Sequence, residues 1–303
     1  MTTSRLVLGT AQLGLAYGVA NTSGQPDQAM AQRIVATAWE GGVHEFDTAR
    51  SYGTSELVLG KALRALGVAE QALVVSKFTS HSGWCAETLL RQVEDSVRTL
   101  GVPALQGMML HSEDAPFETE QAGEALRRLG RSPLARSLGV SVYASARAFT
   151  AIATDWIDLV QVPTNALDRR FETAGVFGAA REKKKNVSIR SIFLQGLLLM
   201  PAEKVARRLP GAAALVARYA ELADSLGLSR HELALGYVKM AHPEARVIFG
   251  AETPEQVSAN LDAWNRPCPD SLVAQVREAF PSVPEHIVNP THWQAKMAEA
   301  PHV

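Results

Sequence analysis

The feature that most constrains this chain is an alternation of short apolar runs with segments of helical hydrophobic spacing. The runs are RLVLGT, VHEF, ALVVSK, LQGMML, SLGVSV, DLVQVP, VSIRSIF and ARVIFG. Helical patterns follow the first four at roughly 26–41, 54–66, 86–100 and 118–130. Strands that alternate with helical patterns indicate a parallel sheet, and eight such units indicate closure. The expected fold is therefore α/β, a (β/α)8 TIM barrel.

A length of 303 residues would fit two average domains, but a barrel of this type takes about 250 residues as one. No Gly/Ser linker or charge block divides the chain, so 1–303 reads as a single barrel domain. Two segments break the rhythm. Residues 201–241 hold at least two extra helical patterns, and a Pro-rich tail at 281–303 follows a last helix near 269–279. The tail can cover the barrel mouth or lie on the surface, and covering is the reading favoured here.

A hydrophobic fraction of 47%, aromatics at 6% and a formal charge of −1 describe an ordinary globular chain with material for a core. Nothing in this balance calls for nucleic acid or a membrane. The start, MTTSRLVLGT, lacks a charged-then-apolar secretory pattern, and a cytoplasmic location is expected. Cys85 and Cys268 lack metal-ligand spacing and suit a reducing compartment. No His/Asp/Glu set has a convincing metal pattern. Lys183, Lys184 and Lys185 read as a solvated helix end.

In such a barrel, residues far apart in sequence meet where the C-terminal ends of the strands converge. Four polar side chains sit just past four of the runs: Asp47, Tyr52, Lys77 and His111. A phenol titrates near 10, and a nearby cation can lower that by roughly one to three units. Lys77 is the available cation, and Asp47 can hold it charged. A neutral His111 can donate a ring N–H to an oxygen that gains negative charge. Each also has an ordinary reading: a helix cap, a packing ring, a strand-end charge, a loop histidine.

Taken in order, LGTAQLG, GGVHEFDTARSYGTSELVLGKAL, VVSK, LHSED, LGVS, VQVPTNALDRR, QGLL and VIFGAETPEQVSANL resemble the aldo-keto reductase superfamily, from about residue 5 to 265. The resemblance implies a (β/α)8 barrel that binds NADPH or NADH without a Gly-rich Rossmann turn. It implies Tyr52 as proton donor or acceptor, Lys77 and Asp47 as the groups that tune it, and His111 as the residue that orients a substrate carbonyl. It further places Thr10, Ala11, Ser141, Gln161, Arg190, Ser191, Gly250, Glu252, Gln256 and Asn260 at the cofactor.

Three departures from the family pattern stand out. The usual Ser-Asn pair is Ser141-Val142, so one carboxamide contact is lost or comes from another residue such as Asn165. Arg190 stands where an aromatic ring usually stacks on the nicotinamide; its guanidinium either replaces that ring or grips an anionic or polyhydroxylated substrate. Gly250 and Glu252 stand where cations often bind a 2′-phosphate. A carboxylate near a ribose favours NADH, whereas the family leans to NADPH and Arg246 could compensate, so the cofactor type stays open.

The expected activity is interconversion of an aldehyde or ketone, sugar-like or acidic, with its alcohol; the partner is this small molecule. Pocket walls are expected from Tyr17, Trp84 and Phe193, with Glu113, His292 and Trp293 as further candidates. A non-catalytic cofactor-sensing barrel and a lyase using Lys77 as a Schiff-base nucleophile are the alternatives. The lyase needs a deprotonated amine, which Asp47 opposes.

Overall fold

In the computed structural model, which describes residues 4–79, 85–111, 120–130 and 132–293, eight parallel strands close into a barrel in sequence order. They are β1 (Leu6–Gly9), β2 (Glu45–Asp47), β3 (Leu73–Lys77), β4 (Gly107–Leu110), β5 (Leu138–Ser141), β6 (Leu159–Pro163), β7 (Asn186–Arg190) and β8 (Arg246–Gly250). Each falls on one of the eight apolar runs, and the expected fold class is the observed one. Closure comes from β1 against β8, with Leu6 opposite Val247 and Gly9 opposite Gly250. The seventh run, VSIRSIF, is cut short as a strand. Ser191 takes a left-handed backbone with φ 60°, which ends pairing at Arg190.

The single turn α1 (Ala11–Gly14) follows β1, and α2 (Gln28–Glu40) follows it after a loop. The α2 start is fixed by Asp27, whose carboxylate accepts from the Met30 N–H at 2.7 Å. Its buried residues, Ala31, Ile34, Val35 and Ala38, recur at the three-and-four spacing that puts one stripe on the sheet. Next come α3 (Ser55–Ala65), α4 (Ala86–Leu100), α5 (Glu120–Leu129) and α6 (Ser145–Ala153), one after each of β2 to β5. The turn α7 (Arg170–Thr173) and α8 (Val176–Glu182) lie between β6 and β7. Just beyond α8, Lys183 and Lys184 are exposed, but Lys185 is not simply solvated: its ammonium donates to the carbonyls of Thr154, Asp155 and Ile157.

Between β7 and β8 the extra segment forms α9 (Ala202–Arg208), α10 (Ala213–Ser225) and α11 (Arg230–Ala241). A reciprocal cap, Ser229 with Glu232, starts α11. Six consecutive α11 residues, Leu233 to Val238, are buried, because α10 covers one side while α12 (Pro254–Asn265) and α13 (Leu272–Ala279) cover others. The tail forms one turn, α14 (Glu285–Val288), and then buries Trp293, whose indole N–H donates to the carbonyls of His286 and Ile287. Arg170 pairs with Glu285 at 2.7 Å and Arg169 donates to the Phe280 carbonyl at 2.8 Å. The tail through Trp293 thus docks on the segment after β6, and residues 294–303 lie outside the described residues. His292 and Trp293 do not line the cavity described below.

Side chains two apart on a strand share a face, which stacks the barrel interior in layers. Beneath Asp47 lies Glu45, paired with Arg246 at 2.5 Å at the start of β8. Arg246 therefore belongs to the barrel floor and is not the 2′-phosphate cation that the sequence suggested.

Candidate active site

The C-terminal rim of the barrel surrounds a cavity of about 760 Å³, within the usual range for ligand pockets. Asp47 ends β2, Lys77 ends β3 and His111 follows β4, so the strands themselves deliver three members of the predicted quartet. Tyr52 arrives differently, on the loop between β2 and α3. That loop lies directly on α1, where a Cβ on Gly14 would overlap the Tyr52 carbonyl and sit 2.5 Å from the Ser55 N–H. Only glycine allows this approach. A buried hydroxyl set locks the same corner: Ser55 Oγ donates to the Thr10 carbonyl at 2.7 Å and lies 3.0 Å from Thr48 Oγ1.

Lys77 is fully buried, with its ammonium 2.5 Å from Asp47 Oδ1 and 2.9 Å from the Thr48 carbonyl. Burial pushes the Lys77 pKa down, and the Asp47 carboxylate opposes this. The ammonium sits 5.1 Å from the centre of the Tyr52 ring and makes no hydrogen bond to its hydroxyl. Among the described residues that hydroxyl has no hydrogen-bond partner, and Tyr52 lines the cavity. Burial first, then Asp47, pushes the phenol above its ordinary range, while Arg190 pulls it down. The Lys77 ammonium spends its bonds on Asp47 and the Thr48 carbonyl, and burial outweighs the cations around the phenol.

His111 packs edge-on against Tyr52, with ring centres 5.3 Å apart. Its Nδ1 is 2.8 Å from Ser51 Oγ, which leaves Nε2 as the remaining ring nitrogen. Burial, then Lys77 and Arg190, pushes its pKa down to about 3, so the imidazole is neutral at ordinary pH. Tyr17 also lines the cavity, keeping 36% of its surface open while protein encloses its hydroxyl; burial, then Tyr52, pushes it up to about 12.

Behind the quartet runs a chain of donors that all point one way. Arg190 Nε donates to Ser141 Oγ at 3.2 Å, Ser141 to Gln161 Oε1 at 3.1 Å, and Gln161 Nε2 to Asp47 Oδ2 at 2.8 Å. Asp47 thereby has both oxygens engaged. The Arg190 guanidinium lies 4.0 Å from the Tyr143 ring centre and reaches the Val142 carbonyl at 3.3 Å. Its plane stacks on a protein ring, which gives one of its faces an occupant the sequence had not suggested. Asn165 is spoken for: Oδ1 accepts from the Leu167 and Asp168 N–H groups, and Nδ2 donates to the Ser191 carbonyl at 3.0 Å. It steadies the left-handed Ser191 and does not line the cavity.

The other predicted cofactor positions all border the same cavity: Thr10, Ala11, Ser191, Gly250, Glu252, Gln256 and Asn260. Thr10 Oγ1 is turned inward, donating to the Asp47 carbonyl at 3.0 Å. Glu252 accepts from Ser23 Oγ at 3.2 Å, and burial pushes its pKa up. Gln256 folds back to accept from the Glu252 N–H at 2.7 Å. Phe193 lines the cavity, edge-on to His231 at 5.5 Å, whereas Trp84 and Glu113 lie outside the described residues.

Several lining residues escaped the sequence reading: Gln12, Tyr143, Gln195, His231 and the α9 cations Lys204, Arg207 and Arg208. The last three recur at three-and-four spacing, a basic stripe that was legible. Arg208 also donates to the Val19 carbonyl, tying α9 to the loop after β1 across the cavity.

Two observations test the fit of a dinucleotide. Asn260 is 2% exposed, borders the cavity, and its Oδ1 is buried without a partner, so an acceptor awaits a donor. Ser191, Leu194 and Gln195 all carry positive φ without being glycine, and such backbone gathers at ligand clamps. The residues present fit the group. Among the described residues no three His, Cys, Asp or Glu side chains are grouped to hold a metal ion, and no helix is long and apolar enough to cross a membrane.

The model of the aldo/keto reductase family matches residues 5–280. The aldo-keto reductase YhdN of Bacillus subtilis (strain 168) is 25% identical over 206 residues, 64% of this chain; the chain spans only 60% of that relative's length. A proposed voltage-gated potassium channel subunit beta of Schizosaccharomyces pombe is 24% identical over 268 residues, 75% of this chain and 76% of the relative. Among solved structures, the glycerol dehydrogenase AKR11B4 from Gluconobacter oxydans superposes with a TM-score of 0.73 at 23% identity, covering 93% of this chain and 94% of that one. A proposed aldo-keto reductase from Pseudomonas aeruginosa gives 0.64 at 22%, covering 91% and 92%. These two likenesses show the shared barrel. With a family model matched across nearly all its strands and helices, the chain belongs to the aldo/keto reductase family.

Proposed function

We propose that this protein is an NAD(P)H-dependent oxidoreductase that interconverts an aldehyde or ketone with its alcohol, with Tyr52 carrying the proton. The observation that carries this reading is the Tyr52 hydroxyl. Tyr52 lines the cavity, its hydroxyl has no partner among the described residues, burial raises its pKa, and a neutral imidazole flanks it. When bound, the reduced nicotinamide supplies a hydride.

Everything else is the work of this chain's side chains. A carbonyl oxygen that gains negative charge needs a proton at that atom, and a phenol that loses its proton only to a stronger base is suited to give it. His111 Nε2 is the ring nitrogen left to orient that oxygen, and it adds no positive charge of its own. The buried Lys77–Asp47 pair fixes the field behind the ring: Asp47 borders the cavity, and Lys77 lies behind it, away from the cavity wall. This burial and the short contact to Asp47 weigh against Lys77 as a Schiff-base nucleophile, although desolvation alone favours the neutral amine. A purely cofactor-sensing barrel has no need of an unpaired, cavity-facing phenol beside a neutral histidine.

Arg208, Arg207 and Lys204 supply positive charge at the cavity wall for the phosphates of either NADPH or NADH, and Glu252 weighs toward NADH. The test is a fluorescence titration with NADPH and NADH, followed by absorbance assays on a panel of aldehydes and ketones. Cofactor oxidation that depends on an added carbonyl supports the reading. Tight cofactor binding with no turnover on any carbonyl favours the sensing barrel, and absence of binding overturns both.

A further inference from the structure

The charge balance at the cavity floor is uneven, and Arg190 is the reason. A guanidinium has five N–H groups. Three are used here, by Ser141 Oγ at 3.2 Å, the Val142 carbonyl at 3.3 Å and Ser191 Oγ at 3.4 Å. All three acceptors are neutral, and all three distances exceed the roughly 2.7–2.9 Å typical of charge-assisted bonds. No carboxylate pairs with Arg190 among the described residues.

The two cavity-lining carboxylates are already engaged. Asp47 has each oxygen bonded, to Lys77 and to Gln161, and Glu252 on the β8 loop accepts from Ser23 on the segment between α1 and α2. The other groups at the floor, Tyr17, Tyr52, Tyr143 and a neutral His111, bring no negative charge. A half-buried cation with spare donors and no counter-ion is costly unless something anionic joins it. Tyr143 holds the guanidinium plane, which leaves its edge as the part that can receive a ligand.

Resting on the oxidoreductase reading above, we propose that Arg190 selects carbonyl substrates that also bear a carboxylate, received on the open N–H groups of its guanidinium beside Tyr52. A planar fork of donors matches the two oxygens of a carboxylate, which a lysine at this position would not reproduce. Tyr52 and Arg190 border one cavity and sense each other's charge, so one small molecule can present its carbonyl to the phenol and its carboxylate to the guanidinium.

The experiment compares matched pairs, succinic semialdehyde with butanal and 4-carboxybenzaldehyde with benzaldehyde, on wild type, Arg190→Lys and Arg190→Gln at one ionic strength. The expected result is a wild-type preference of at least about tenfold in kcat/KM for the carboxylated member, carried mainly by KM. Arg190→Gln should erase that preference and Arg190→Lys should keep a fraction of it. In parallel, calorimetry measures terephthalate binding to the cofactor-loaded wild type and Arg190→Gln, with circular dichroism to establish that each variant is folded.

Equal kcat/KM within each pair for wild type overturns the proposal, as does a preference that survives Arg190→Gln. Loss of cofactor affinity in Arg190→Gln with the preference intact overturns it too, by assigning Arg190 to the cofactor. If no carbonyl is reduced, the oxidoreductase reading fails, and terephthalate binding decides the carboxylate site by itself. Binding lost in Arg190→Gln upholds the site, and equal binding removes it.

Discussion

Gln161 Nε2 donates to Asp47 Oδ2 at 2.8 Å, while Lys77 holds the other oxygen of the same carboxylate. This bond joins a fully buried ion pair to a polar chain that ends at a cavity-facing guanidinium. Asp47 is thereby fixed in orientation as well as charge, and cannot rotate toward the cavity without breaking one of two buried contacts.

From that arrangement, Asp47→Asn should cost roughly 3–5 kcal/mol at neutral pH, because it strands a buried ammonium. The Lys77 pKa in the folded protein already lies below its ordinary value, and loss of Asp47 lowers it further. The unfolded chain then holds the proton more tightly, so the variant should recover stability as pH rises toward about 10. Urea melts at pH 6.5 and 9.5 measure this. A deficit that is the same at both pH values would show that the ammonium is not the source.

Tyr52→Phe removes the transferable proton and little volume. Carbonyl reduction should fall by about 10²–10⁴ in kcat, with cofactor dissociation constants within a few-fold of wild type. Retention of more than a tenth of turnover, with hydride transfer shown to be rate-limiting by a deuterium isotope effect, would sink the assignment.

The His111 pKa is pushed down to about 3. Its folded value lies below the unfolded one, so protonation opposes folding. The contribution to stability is fully present above about 6.5 and is lost progressively as pH falls from there toward 3. The His111 ring resonance followed by NMR should stay flat from pH 8 to 5, and kcat/KM should lack an inflection near 6.5. An inflection there in the resonance would mean that the ring is charged in the working enzyme.

Asn260 Oδ1 contributes an unmade hydrogen bond, a cost of about 1–3 kcal/mol already present in the free protein. Asn260→Ala should therefore leave thermal stability close to wild type while weakening cofactor binding by about tenfold. Calorimetry of melting and binding separates the two. A large fall in melting temperature would make Asn260 a packing residue.

Glu252→Lys replaces a cavity-lining carboxylate with a cation and should move the ratio of dissociation constants toward NADPH by on the order of 1–2 kcal/mol, reduced by salt. Both constants are measured for both proteins at one ionic strength. A ratio that does not move places Glu252 away from the ribose.

The sequence by itself determined the barrel, because strand runs and helix stripes are local patterns and eight repeats of one unit have few ways to close. It also determined that Asp47, Lys77 and His111 would meet, since a residue at the C-terminal end of a parallel barrel strand has only one rim to stand on. What only the tertiary structure decided is which charges pair. Arg246 sits at the wrong end of β8 for the cofactor and closes on Glu45, and Asn165 turns its Oδ1 to its own loop and its Nδ2 to the Ser191 carbonyl after β7. Lys77 gives its charge to Asp47 and makes no bond to Tyr52; Arg190 lies over the Tyr143 ring and, among the described residues, meets no carboxylate. Hydrogen bonds and ion pairs form over a few ångströms between residues distant in the chain. Local spacing carries no record of those distances; they exist only once the barrel has closed.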